Sequence, residues 1–149
     1  MSKDFKSLPW IINKTVLPQD TDHAGIMWHG SYLDWLEEAR VNALYNVGLP
    51  YIELSNNGYE IPVIELNIKY KYSIYHGDKI QLRSWFYNTG KIRLSCKTIF
   101  LNVKEKNKNL AEAKVDLVLI NKKESGVKVV RKKPNYILQG LLALERGAQ

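Results

Sequence analysis

Between Gln19 and Gly30 the chain gathers Asp20, Thr21, Asp22, His23, Ala24, Gly25, Ile26, Met27, Trp28 and His29, its densest run of residue types able to do chemistry. A carboxylate just ahead of a helix can act on a carbonyl as nucleophile or general base. The helix N-terminus supplies unpaired N–H groups and a partial positive charge for the oxyanion that develops. The same position is an ordinary one for a capping or turn aspartate, so spacing alone leaves both roles open for Asp22. His23 and His29 invite a metal, but no H-E-x-x-H or C-x-x-C spacing accompanies them, and neither a metal nor any other cofactor is expected. A serine nucleophile lacks its G-x-S-x-G turn, and Ser31 is expected to cap a helix. Cys96 lies among Leu94, Thr98 and Ile99 and is expected to be a buried structural thiol.

The element that follows this cluster is a helix. Tyr32, Leu36, Ala39, Ala43 and Val47 recur at steps of three and four between Ser31 and Val47, with Asp34, Glu37, Glu38 and Asn42 on other faces. Ser31 and Asp34 resemble a capping box, and Gly48 with Pro50 marks the end. Before the cluster, Trp10 to Val16 is rich in β-branched and aromatic residues and is expected to form a strand. Leu49 to Gly58 is expected to be a loop. Strands are expected over Tyr59 to Ile74, Lys79 to Tyr87, Arg93 to Val103 and Leu110 to Ile120, separated by turn residues that favour antiparallel hairpins. Val127 to Val130 adds a short strand, and Pro134 opens a terminal helix through Leu138, Leu141 and Leu144. One helix among strands is an α+β pattern, with the sheet burying one face on the helix. Its edge strands call for a partner, so dimerisation through an edge is expected.

At 149 residues the chain is sized for one domain, 1–149, with a core of about 10–133 and a tail or helix over 134–149. Lysine and arginine number 22 against 15 acids, a net charge of +7 that favours an anionic partner. The mean hydropathy of −0.31 and the absence of any long apolar run argue against membrane insertion. Met1-Ser2-Lys3-Asp4-Phe5 leads into no signal-type core, so a cytoplasmic location is expected.

The run Asp20 to His29, followed by Tyr32, Glu38 and Arg40, resembles the signature of hotdog-fold thioesterases of the 4-hydroxybenzoyl-CoA thioesterase and YbgC type. Ile61-Pro62-Val63-Ile64-Glu65 and Tyr75-His76-Gly77-Asp78 extend the likeness, so that it runs from about Ile11 to Ile120. The resemblance implies a long central helix wrapped by a five- or six-stranded antiparallel sheet, in homodimers that often form homotetramers with sites at the interface. It implies hydrolysis of an acyl-CoA or acyl-ACP thioester, with Asp22 as catalytic carboxylate and the His29 amide as oxyanion donor. It further implies Gly25 allowing close approach and Ile26, Met27 and Trp28 lining the acyl pocket. Glu65 also resembles its counterpart in plant methylketone-synthase-type acyl-ACP thioesterases, where it would support Asp22 across the interface and tilt the choice toward aliphatic acyl groups.

Three other activities stand beside this one. An aromatic acyl-CoA hydrolase, such as a 1,4-dihydroxy-2-naphthoyl-CoA hydrolase, uses the same machinery on another acyl group. A thioester hydratase would place its acid and base differently. A nucleic-acid-binding module would stack Tyr70, Tyr72 and Tyr75 on bases beside Lys69 and Lys71, although such rings also pack in alternation along a strand. The basic residues Lys69, Lys71, Lys91, Arg93, Lys122, Lys123, Lys128, Arg131, Lys132 and Lys133 suit the phosphates of coenzyme A or the acidic helix of a carrier protein.

Overall fold

The alternation of apolar residues along the strands is what makes one sheet face dry. In a computed structural model describing residues 5–123 and 125–149, five strands form an antiparallel sheet. They are β1 (Trp10–Thr15), β3 (Val63–Tyr70), β4 (Lys79–Thr89), β5 (Arg93–Asn102) and β6 (Lys108–Val118), in the order β1-β4-β5-β6-β3. Met1 to Asp4 of the amino-terminal stretch lie outside the described residues. The two hairpins β4–β5 and β5–β6 form as their turn residues require. β3 and β4, consecutive in sequence, do not pair: β3 runs beside β6 and closes the far edge of the sheet.

The helix α1 (His29–Asn46) has 18 residues and begins two residues ahead of the expected start. Tyr32, Leu36, Ala39 and Ala43 are buried as their spacing requires, joined by Trp35 and Leu44. They share one core with Leu82, Phe86, Cys96, Phe100, Val115 and Leu117 of the sheet. Burying each large apolar side chain there stabilises the fold by roughly 1.5–3 kcal/mol. The expected capping box at Ser31 is absent. Trp28 is the N-cap residue, and the Ser31 hydroxyl instead donates to the Asp20 carbonyl at 2.9 Å, tying the helix to the preceding loop.

The stretch expected as a loop contains a second helix, α2 (Tyr51–Asn56), which buries Leu54. The run Tyr59 to Ile74 is not one strand but β2 (Tyr59–Glu60) and β3, broken at Pro62, which has no N–H to give a ladder. β2 joins β7 (Ile120–Lys123) and β8 (Gly126–Val129) in a separate three-stranded sheet. The terminal helix α3 (Asn135–Arg146), opened by Pro134, buries Ile137, Leu141 and Leu144 and accepts the Trp10 indole N–H at the Leu144 carbonyl, 3.0 Å. No helix among the described residues is long and apolar enough to cross a membrane.

Candidate active site

The loop ahead of α1 is held from both sides. The Asp22 amide donates to the Ile26 carbonyl at 2.8 Å and the Gly25 amide to the Asp22 carbonyl at 3.0 Å, closing a tight turn. Gly25 sits at φ +79°, a conformation that glycine adopts without strain. An added Cβ there would meet no atom of the chain within 4 Å, so the turn geometry selects the glycine and open space lies over it. Met27 donates to Ile74 at 2.7 Å and His76 to Gly25 at 3.0 Å, which clamps the turn against the segment following β3.

This turn fixes the Asp22 carboxylate. Oδ1 accepts the Ala24 amide at 2.9 Å and the Ile26 amide at 3.1 Å, while Oδ2 has no hydrogen-bond partner among the described residues. The side chain is exposed, and it lines an open groove of about 420 Å³. Ile26, Met27, Trp28 and His29 form the same wall as Asp22; Tyr32 projects from α1, and Tyr70, Lys71, Tyr72 and Ser73 come from the end of β3 and beyond. His29 is the first residue of α1, so its amide and that of Gly30 are first-turn donors with no acceptor in the helix. The Trp28 ring lies over Gly30, where any Cβ would collide with it, and stands 4.9 Å from the His29 ring. The groove thus offers a carboxylate oxygen without a hydrogen-bond partner among the described residues, the first residue of a helix at His29 and largely aromatic walls. That is a set suited to attack on a carbonyl.

The structure therefore brings Asp22, Ile26, Met27, Trp28 and His29 together, with Gly25 shaping the turn behind them. Glu65 is elsewhere. It lies on β3 opposite Asp116, and its Oε2 accepts from Arg93 Nη1 at 3.2 Å, with Asp116 Oδ2 3.3 Å from the same nitrogen. Within one chain it does not reach the groove. Tyr32, Tyr70 and Lys71 are groove residues that the Asp22-to-His29 cluster does not announce, because they converge only through packing of α1 on β3. The alternation of Tyr70 and Tyr72 was the available signal. Their rings are engaged by the protein itself: Tyr70 meets Tyr32 edge-on at 5.0 Å, and Lys108 Nζ sits 3.8 Å from the centre of the Tyr72 ring. Burial, and then Tyr70, push the Tyr32 hydroxyl up to about 12, so it stays a neutral donor at physiological pH. Lys71 is bonded to Glu112 at 3.0 Å and holds that carboxyl below the usual range. Cys96 is fully buried, and burial pushes its thiol up to about 11, in keeping with a structural role.

A family profile described as the Thioesterase-like superfamily matches residues 16–138. A protein of Synechocystis sp. named as an esterase is 30% identical over 131 residues, which cover 88% of this chain and 77% of that protein. The 1,4-dihydroxy-2-naphthoyl-CoA hydrolase of Crocosphaera subtropica is 26% identical over 112 residues, covering 74% and 82% respectively. Among solved structures, a DHNA-CoA thioesterase from Staphylococcus aureus superimposes with a TM-score of 0.75 at 25% identity, over 87% of this chain and 86% of that one.

Proposed function

The chain belongs to the thioesterase-like superfamily and is a thioester hydrolase, and from that premise we propose that it cleaves an acyl-CoA thioester with Asp22 as general base or nucleophile. The observation that carries this reading is the pinned Asp22 carboxylate, whose Oδ2 has no hydrogen-bond partner among the described residues, on the same groove as His29, the first residue of α1. As base, Oδ2 takes a proton from water while the water oxygen bonds to the thioester carbon. As nucleophile, it bonds to that carbon itself and the anhydride formed is opened by water. In both routes the carbonyl oxygen gathers negative charge that the His29 amide and the helix dipole stabilise. Collapse breaks the C–S bond, and the thiolate leaves to be protonated.

Lys71 at the groove and Lys108 nearby are cations for the phosphates of the carrier, coenzyme A in this reading and acyl carrier protein as the second choice. An aromatic acyl group is favoured by the Trp28, Tyr32, Tyr70 and Tyr72 walls and by the relative named a 1,4-dihydroxy-2-naphthoyl-CoA hydrolase; an aliphatic group is the alternative. The reading includes a homodimer. β3 is an edge strand whose Val63, Ile64 and Leu66 are 43%, 45% and 40% exposed, an apolar edge ready to pair with its own copy. Glu65 would then meet the partner's site. A cytoplasmic location goes with a soluble CoA substrate.

The experiment is thiol release from aliphatic and aromatic acyl-CoA and acyl-ACP thioesters by the purified protein. Turnover of at least one acyl-CoA, faster than of its acyl-ACP counterpart, supports the reading. Turnover of none would overturn it.

A further inference from the structure

The surplus positive charge of the chain is concentrated in one short segment. Over residues 120–133 stand Lys122, Lys123, Lys128, Arg131, Lys132 and Lys133 against a single acid, Glu124, a surplus of five out of the chain's +7. The other sixteen basic residues are nearly balanced by fourteen acids. Within this segment β7 and β8 form a hairpin, and the sheet order β2-β7-β8 leaves the outer edge of β8 without a strand among the described residues. The register sets Lys122 opposite Val127, Asn121 opposite Lys128 and Ile120 opposite Val129. Opposed residues share a side of the ladder and successive ones alternate. One face therefore carries Val127 and Val129 with Lys122, and the other carries Lys123 and Lys128.

Every residue of β8 is exposed, Val127 by 62% and Val129 by 42%, so two branched apolar side chains stand in water among the cations. Lys122 is paired with Glu60 at 3.5 Å, whereas Lys123, Lys128, Arg131, Lys132 and Lys133 form no ion pair among the described residues. This combination discriminates among anionic partners. Single-stranded nucleic acid is held by charge together with stacking, and neither β7 nor β8 carries an aromatic ring. A small phosphate is matched best by the fork of a guanidinium, but five of the six cations are lysines, point charges on flexible stems. Lysines around exposed valines match a lipid surface, where ammonium groups meet the headgroup phosphates and the apolar side chains meet the acyl boundary beneath them.

We propose that the β7–β8 hairpin, with the basic segment 131–133, docks the protein reversibly on an anionic lipid surface, Val127 and Val129 facing the acyl chains. The docking is peripheral, as no helix among the described residues is long and apolar enough to cross a membrane. It goes beyond the thioesterase reading and stands without it.

The test is flotation of the purified full chain with vesicles of pure phosphatidylcholine and of phosphatidylcholine mixed with phosphatidylglycerol, at low and at high salt. The parent floats with the mixed vesicles at low salt, and high salt or the absence of phosphatidylglycerol releases it. Each lysine near an anionic bilayer strengthens binding by about fivefold, so the double variant Lys128→Glu/Lys132→Glu lowers the partition coefficient about tenfold or more. The double variant Val127→Ser/Val129→Ser lowers it about threefold or more while its salt dependence persists. Circular dichroism matching the parent keeps unfolded variants out of the comparison. A parent that ignores the mixed vesicles, equal flotation with pure phosphatidylcholine, or either pair of substitutions without effect would overturn the inference. So would an oligonucleotide bound in place of the vesicles and lost in the lysine variant, or unchanged flotation of that variant with a raised KM for a short acyl-CoA, which would assign the cations to nucleic acid or to the carrier. Each of these outcomes leaves the thioesterase reading in place.

Discussion

Asp22 is rigid because the backbone around it is. Two amides of its own turn hold Oδ1, and that turn closes only if residue 25 adopts φ +79°. Gly25→Ala meets no steric obstacle, so its cost is conformational: a left-handed backbone penalty of about 1–2 kcal/mol, measurable by urea denaturation. A loss well above that would mean that the turn also packs on something. Because Asp22 to His29 is contiguous, its gathering at the start of α1 was legible in the sequence. Tyr32, Tyr70 and Lys71 were not legible as a set, since they stand on separate elements that meet only after folding. Ser31 carried a local signal that a longer contact overrode, as its hydroxyl goes to Asp20 and not to the helix cap.

The elements lock together through a few close contacts. Gly140 of α3 lies so near Leu49 that an added Cβ would fall 2.5 Å from Leu49 Cδ1. Gly140→Ala gains about 1 kcal/mol of helix propensity but overpacks this contact by about 1–3 kcal/mol. The expected net loss is about 1 kcal/mol, and Leu49→Val in the same chain should return part of it; denaturation of the two variants and their double mutant checks both. Between α2 and β2, Glu60 accepts the Ser55 hydroxyl at 2.7 Å. That bond first, then Tyr51 and Lys122, hold the Glu60 carboxyl below its ordinary value of 4.5. A carboxyl depressed in the folded state contributes stability above its unfolded pKa and loses it as pH falls through the folded one. Tm measured from pH 6 to pH 3 should accordingly fall less for Glu60→Gln than for the parent. An identical slope would show that Glu60 takes no part in acid sensitivity. The strands of hairpins were legible from their turns; α2 was hidden in a stretch whose Ser, Asn and Gly residues read as turn chemistry. The crossing of β3 to β6 was hidden as well, because pairing between distant strands leaves no local pattern.

Across the whole molecule, the sheet ends on one side in β3, whose apolar edge carries no proline and which, among the described residues, pairs with β6 alone. A mass in solution of twice the 17.2 kDa chain is expected for the parent, and Ile64→Lys, which puts a charge on that edge, should shift it toward the monomer and lower turnover with it. A monomeric parent that is fully active would remove β3 from the account. The α+β plan was legible from strand order, whereas the edge that stays open depends on the β3–β6 pairing. What the fold finally presents is the Asp22 carboxylate and the His29 end of α1 on one aromatic groove. The most direct test is thiol release by the parent and Asp22→Asn, side by side, on the acyl-CoA the parent prefers. With matching circular dichroism and melting, kcat should fall by roughly 10²-fold or more in the variant. A folded Asp22→Asn protein working at the parental rate would contradict the account.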